Sequence, residues 1–481
     1  MTFTREIGGF IVESGGLIMF TLTQREAGIL MPIASLPSYH GIGEFGPQAY
    51  TFIDLISTTP LKYWQILPLN PLGFGNSPYQ PYSSFAGDEI YIYCEDMPHY
   101  DISSTQIDYE EVRTRKETYL REAFKHFHQE EDYKDFKKKA FWLNDYAYFM
   151  TMKKQNSSSW QEWHNKDLDQ EEVDYQCFLQ YLFYKQWMNI KAYANKKGIQ
   201  IIGDMPMYVG LDSADVYYSR EDFLLDQDGY PTSVAGVPPD YFSKDGQLWG
   251  NPLYDWEKQK KDGYQFWMKR LSWNKDLYDI IRIDHFRAFD TYWSIPAKEK
   301  TARHGEWLLG PSYDFFDHLF KVYPDIKLIA EDLGDLREEV LTLKDHYHLL
   351  GMRIGQYSLG KQEEKIHFKL PEYCIAYTGT HDNDSVKGWY DSQSKQEKRR
   401  IRRILRRYKG KVPEKILRFT LDSDCILSII PVQDFIFLGG ESRLNTPGTV
   451  GSPNWEWKLR DFYKFKSKLG FIRQLLNEYN R

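Results

Sequence analysis

Four acidic residues stand where short apolar runs of the chain give way to polar residues. They are Asp204 in Ile202-Gly-Asp-Met-Pro-Met207, Asp284 in Arg282-Ile-Asp-His-Phe-Arg287, Glu331 in Ala330-Glu-Asp-Leu-Gly334, and Asp382 in Thr378-Gly-Thr-His-Asp-Asn383. A pair of carboxyl groups can break a glycosidic bond with retention. One, ionised, attacks the anomeric carbon; the other, protonated, delivers a proton to the leaving oxygen. A single Asp or Glu at a strand end is more often the N-cap of the next helix, so the reading rests on the set. Asp284 is the candidate nucleophile. Arg282 lies two residues before it, and strand alternation sends both side chains to one face, where the cation is expected to lower the Asp284 pKa and keep it ionised. A buried structural ion pair is the alternative. Glu331 follows the apolar Leu328-Ile-Ala330, where desolvation raises a carboxyl pKa as a general acid requires; a capping carboxylate is the alternative. Asp332 alternates away from Glu331 and reads as structural.

His381-Asp382-Asn383 follows a strand that turns on Gly379. A fixed anion beside a neutral imidazole suits sugar hydroxyls and an oxocarbenium-like transition state. A metal site is the rival, but consecutive residues cannot converge on one ion without distant partners. Asp226-Gln-Asp-Gly229 echoes part of a calcium loop, lacks its later ligands, and reads as a turn.

Elements that could hold these groups recur along the chain. Apolar runs lie at Gly28–Met31, Tyr63–Leu67, Ile199–Gly203, Ile280–Ile283, Leu328–Glu331, Gly351–Gly355, Tyr373–Tyr377 and Ile426–Val432, with helical patterns between them. The alternation predicts an α/β fold, a (β/α)8 TIM barrel, with active-site residues at the C-terminal ends of the strands. Thr291–Ile295 is a ninth candidate, read as a strand within a loop. The gap from about 86 to 198 exceeds one crossover, and its charged and aromatic content predicts an inserted, mostly helical subdomain. Residues 226–256 carry Gly229, Pro231, Gly236, Pro238, Pro239, Gly246, Gly250 and Pro252, and are expected to form an ordered lid loop. Residues 19–481 then form one catalytic domain, and residues 1–18 read as a disordered or mis-started extension.

Composition narrows the function classes. The 481 residues carry 68 acidic and 61 basic side chains, a net charge of -7 that favours no polyanion partner such as nucleic acid. The basic cluster Lys398–Lys411 reads as a solvated helix face. The 36 Tyr and 14 Trp exceed ordinary core needs; a sugar-stacking surface and plain compositional bias both explain them. Cys94, Cys177, Cys374 and Cys425 lie far apart with no CxxC spacing, and are expected to be reduced thiols of a cytoplasmic protein. Ile7–Phe20 lacks the framing of a signal peptide, and no run reaches membrane-spanning length.

Taken in order, Arg282-Ile-Asp-His-Phe-Arg287, Ala330-Glu-Asp-Leu-Gly334 and Gly379-Thr-His-Asp-Asn383 closely resemble the catalytic segments of amylomaltases, glycoside hydrolase family seventy-seven of the alpha-amylase clan. The resemblance covers nearly the whole chain, including Trp64-Gln-Ile-Leu-Pro-Leu-Asn-Pro71, Ser77-Pro-Tyr-Gln-Pro-Tyr-Ser-Ser84, Leu248-Trp-Gly-Asn-Pro-Leu-Tyr254 and Arg443-Leu-Asn-Thr-Pro-Gly-Thr449. It implies a 4-alpha-glucanotransferase acting on α-1,4-glucan donors and glucose or maltooligosaccharide acceptors, without metal or organic cofactor, as a monomer or weak homodimer. By position it implies nucleophile Asp284, acid/base Glu331 and transition-state stabiliser Asp382, with Arg282, His381 and Asp204 beside them. It places Ser77 and Tyr79 near the donor, makes Gly236–Pro252 a lid carrying Tyr241, Phe242 and Trp249, and adds His285, Asn251 and Asn445 as sugar contacts. Two departures stand out: residues 1–18 have no counterpart, and Asp88 replaces the family's usual Asn after Ala-Gly. A plain α-glucan hydrolase would share every carboxylate, and a silent glucan-binding protein would have no need to keep all three.

Overall fold

The computed structural model describes residues 5–7, 10–12, 18–20, 22–100, 103–165, 167–239, 243–360 and 373–481. All eight expected runs form parallel strands: β1 (Glu26–Leu30), β2 (Tyr63–Gln65), β3 (Gln200–Met205), β4 (Ile280–Ile283), β5 (Leu328–Ala330), β6 (Gly351–Ile354), β7 (Cys374–Tyr377) and β8 (Leu427–Pro431). They pair in the order β5-β4-β3-β2-β1-β8-β7-β6. A parallel bridge between Ile329 and Leu350, with the Ala330 amide donating to the Leu350 carbonyl at 2.9 Å, joins the two ends and closes a (β/α)8 barrel. Strands covered on both faces read as unbroken apolar runs. Their inward side chains, among them Leu30, Ile202, Ile280, Ile329, Met352, Ile375 and Ile429, fill the barrel as a core separate from the larger one between strands and helices.

Between β2 and β3 run four helices, Tyr109–Lys125, Glu131–Lys139, Leu143–Asn156 and Gln170–Lys196. The last is 27 residues long, about 40 Å at the helical rise. Asp169 caps it by accepting from the Glu171 and Glu172 amides, and Glu171 and Glu172 complement the positive end of its dipole. The aromatic excess is largely taken up here and around the barrel: Trp64, Trp187 and Trp267 are fully buried, whereas few rings face the cleft described below. In the basic segment, Ile401 and Leu405 anchor a helix, Lys395–Ile404, whose Arg399, Arg402 and Arg403 are exposed.

Three expectations need correction. Residues 226–256 are not simply a loop: Ser233–Val237 and Gln247–Pro252 form a hairpin that extends, through Thr291–Pro296, into a four-stranded antiparallel sheet ending at Glu306–Leu309. Of the glycines and prolines that suggested a loop, Gly236, Gly250 and Pro252 lie within the strands and Pro238, Pro239 and Gly246 between them, where Gly246 adopts φ +67° and a Cβ would stand 2.4 Å from the Val237 carbonyl oxygen. The ninth run is one of the two inner strands of this sheet. Cys374 and Cys425 are not free thiols but a disulfide; 51 residues separate them in sequence, yet pairing of β7 with β8 brings their Cα atoms to 4.9 Å. That pairing removes one ground for the cytoplasmic reading, while Cys94 and Cys177 remain free. Within the expected N-terminal extension, Arg5–Ile7, Phe10–Val12 and Ile18–Phe20 pair as a small antiparallel sheet. No helix among the described residues is long and apolar enough to cross a membrane.

Candidate active site

Strand register assembles the site. Asp204 on β3 lies directly opposite Arg282 on β4, so both side chains leave the sheet at one level. Arg282 Nη1 donates to both Asp204 oxygens at 2.7 Å and stands 3.0 Å from Asp284 Oδ1, two residues farther along the same face. Ile283 is paired with Ala330 across β4 and β5, so the next residues, Asp284 and Glu331, emerge side by side at the C-terminal edge. The backbone continues the pairing beyond the strands: the Glu331 amide donates to the Ile283 carbonyl at 3.0 Å, and the Phe286 amide to the Glu331 carbonyl at 3.1 Å.

Past Asp284 the chain turns sharply, with His285 at φ +50°. That left-handed conformation, uncommon outside glycine, aims the His285 amide at Glu331 Oε2, 2.8 Å away, while the Leu333 amide donates to Oε1 at 3.1 Å. Those two bonds favour the carboxylate, yet burial, reinforced by the Asp284 charge, wins and pushes the Glu331 pKa up to about 8. For Asp284 the expected lowering by Arg282 does not prevail. Burial is the larger effect, and Asp204 shares the guanidinium and adds its own charge, so the pKa is raised to about 6. The pair still separates in the useful order, with Asp284 ionised and Glu331 protonated at neutral pH. Asp332 is buried and accepts from the Met352 amide and from Arg353, away from the cleft.

On the opposite side, Asn445 donates to Asp382 Oδ1 at 2.7 Å and Arg443 to the Asp382 carbonyl at 2.8 Å, leaving the carboxylate 44% exposed toward the cleft. His381 is buried and stacks on Tyr79, whose hydroxyl donates to Asp204 Oδ2 at 2.8 Å. His285 meets Trp249 edge to face at 4.9 Å; burial, then Arg287, lowers its pKa to about 4, so the imidazole is neutral and its Nε2 is unpaired among described residues. A cleft of 390 Å³ runs over Asp284, His285, His381, Asp382, Ser77, Tyr79, Trp249, Asn251 and Asn445. Arg282 and Asp204 are buried beneath it, and Glu331 is partly exposed beside Asp284 at the strand ends.

The comparisons with known proteins show the family of the chain. A family model for 4-alpha-glucanotransferase, glycoside hydrolase family 77, matches residues 31–464. The chain belongs to the 4-alpha-glucanotransferase family. The enzyme of Aquifex aeolicus is 38% identical over 95% of this chain and 99% of its own, and that of Clostridium butyricum 40% identical over 94% and 100%. An amylomaltase from Streptococcus agalactiae, solved in complex with acarbose, superposes with a TM-score of 0.91 at 35% identity, covering 95% of this chain and 100% of its own.

In this family member, two residues of quoted motifs hold positions that the sequence did not assign. Gln80 donates to the Trp249 carbonyl at 3.0 Å and to Asn251 Oδ1 at 2.9 Å, tying the hairpin to the Ser77–Tyr82 segment. Asn251 spends its own amide on the Val209 carbonyl and Gln80, which fixes the hairpin beside the cleft. Arg443, also unassigned, holds the Asp382 backbone. Both lie inside recognisable segments, but their partners are distant in sequence. Of the expected lid residues, Tyr241 and Phe242 lie outside the described residues. The departure at Asp88 is accounted for by Arg113, which pairs with both of its oxygens at 2.7 and 3.0 Å. An Asn could not match that charge. Asp88 also accepts from the Leu72 amide, fixing the start of the segment that leads to Ser77. Asp226 accepts from the Asp228 and Tyr230 amides, the turn that its motif suggested.

Proposed function

We propose that this 4-alpha-glucanotransferase works by a retaining double displacement on Asp284 and Glu331. One observation carries the reading: register neighbours at adjacent strand ends have environments that leave one carboxyl ionised and the other protonated. Asp284 Oδ attacks the anomeric carbon as the glycosidic C–O bond breaks, and Glu331 gives its proton to the departing glucan oxygen. Glu331, now a carboxylate, takes the proton of the incoming 4-hydroxyl as that oxygen displaces Asp284. Each step inverts, so the α linkage is kept. Asp382, the neutral His285 and the ring of His381 bind hydroxyls of the reacting sugar, and the Asp382 carboxylate stabilises its positive charge. The donor is a maltooligosaccharide or a starch- or glycogen-type chain, and the acceptor glucose or another such chain.

The deciding test is incubation with maltotriose and separation of products by size. A ladder of longer oligosaccharides together with glucose is expected. Maltose and glucose alone would make the chain a hydrolase and remove the transfer reading.

Sugar rather than water must complete the second step, and no catalytic residue differs between the two outcomes. Support for transfer comes from the hairpin: Trp249 lies against His285 at the cleft, where its ring can stack on an acceptor and displace water. Trp249→Ala is expected to lower the transfer-to-hydrolysis ratio about 2- to 12-fold, the equivalent of an aromatic contact worth ~0.5–1.5 kcal/mol. An unchanged ratio, read from glucose release against ladder formation, would exclude the ring from acceptor selection.

A further inference from the structure

We propose that Asp434 is a positioning residue for glucan transfer: it ties both ends of the loop that carries His381 and Asp382 to the C-terminal end of β8. The inference rests on the role given to Asp382 above.

Asp434 lies in the short helix Val432–Phe435 that directly follows β8. It contacts neither the cleft nor any group assigned to the reaction. One of its oxygens, Oδ2, accepts from the Thr378 hydroxyl, at the point where the chain leaves β7. The other, Oδ1, accepts from the Val386 amide at 2.7 Å, at the first residue of the helix Val386–Ser392 where the loop ends. Thr378, Val386 and Asp434 are all essentially inaccessible to water. Between the two ties the loop crosses the barrel mouth and presents His381 and Asp382. Asn445 and Arg443 steady the tip from the side, but they belong to a surface segment. Asp434 links both ends of the loop to the end of β8, while Gln356, just after β6, donates to the Thr378 and Asp384 carbonyls at 3.3 and 2.6 Å.

The residue type fits this role. A buried amide and hydroxyl left without acceptors would destabilise the native loop, and a carboxylate supplies an acceptor to each. A buried carboxylate is itself costly to desolvate, and burial pushes its pKa up to about 7, with the two hydrogen bonds acting against that rise. An apolar residue would fill the space without that cost, but it would hold neither end of the loop. Asn can keep both contacts, accepting from Val386 while its NH2 group donates to a rotated Thr378 hydroxyl.

The test measures maltotriose disproportionation by Asp434→Ala, Asp434→Asn, Thr378→Val, Asp382→Asn and the Asp382→Asn/Asp434→Ala double variant, with folding checked by thermal melting. Asp434→Ala is expected to lower kcat about 10- to 100-fold, as misplacement of a reacting group does, with KM changed less than about 3-fold. Asp434→Asn is expected to retain about a third of kcat or more. Added to Asp382→Asn, the alanine change is expected to cost less than about 3-fold, because it acts through the group already removed. A normal kcat for Asp434→Ala, or a loss that multiplies in full with that of Asp382→Asn, overturns the proposal. If Asp382→Asn itself retains full activity, the role of Asp382 fails first, an outcome distinct from a crippled Asp382→Asn beside an unaffected Asp434→Ala. Should Asp434→Ala not fold, Thr378→Val removes one donor alone; a kcat loss of about 3- to 10-fold is then expected, and no loss overturns the clamp.

Discussion

Asp284→Ala is expected to lower glucan transfer by on the order of 10^4-fold or more, because removing a nucleophile that forms the covalent intermediate leaves only binding and electrostatics to assist the reaction. The fold is expected to survive. Arg282 keeps both of its 2.7 Å contacts to Asp204, so no buried cation is left unpaired, and melting should shift little. The vacated space lies on the face of the sugar opposite the leaving group. With α-maltosyl fluoride as donor and azide as nucleophile, azide nitrogen bonds to the anomeric carbon as the C–F bond breaks and fluoride leaves. A single inversion results, so the product should be the β-glycosyl azide. Transfer retained above about 1% of the parent, or an α-azide product, would remove Asp284 from the nucleophile's position.

How much of this was legible in the sequence depended on whether the determining partner was local. The eight barrel strands announced themselves because each is buried on both faces and ends in polar residues. The Arg282–Asp284 relation followed from two-residue alternation alone. The protonation of Asp284 did not follow, since it depends on burial and on Asp204, which arrives from another strand to share the same guanidinium. Likewise the hairpin at 233–252 looked like a loop because its pairing partner, Thr291–Pro296, comes later in the chain and its own composition speaks only of turns. The Cys374–Cys425 pairing was hidden by a sequence separation of 51 and set by the register of β7 on β8. The aromatic count pointed equally to sugar and to core; the structure assigns Trp64, Trp187 and Trp267 to core, and leaves Trp249 and Trp455 at the cleft. Gln80, Arg443 and Asp434 act through tertiary contacts that no spacing encodes.

The acid differs from the nucleophile in a way that the same reagents expose. Glu331→Gln is expected to slow maltotriose transfer about 10^2- to 10^4-fold, the usual contribution of a general acid and base. Glutamine keeps the side-chain volume and can still accept from one of the two amides that hold Glu331, so the loss reports proton transfer rather than shape. Fluoride departs without protonation, so formation of the glycosyl-enzyme from α-maltosyl fluoride should remain near the parent rate. Azide needs no base to attack that intermediate, and the second inversion then yields the α-glycosyl azide, opposite to the product of Asp284→Ala. The pH dependence carries the same assignment. In the parent, kcat/KM should fall as pH drops below about 6, where Asp284 gains a proton, and as pH rises above about 8, where Glu331 loses one. Because the Asp284 charge helps to raise the Glu331 pKa, Asp284→Asn should move that ionisation downward, as seen by titrating the carboxyl resonance. A Glu331→Gln variant equally impaired on the fluoride, or an alkaline limb that persists in it, would transfer the acid's role to another group.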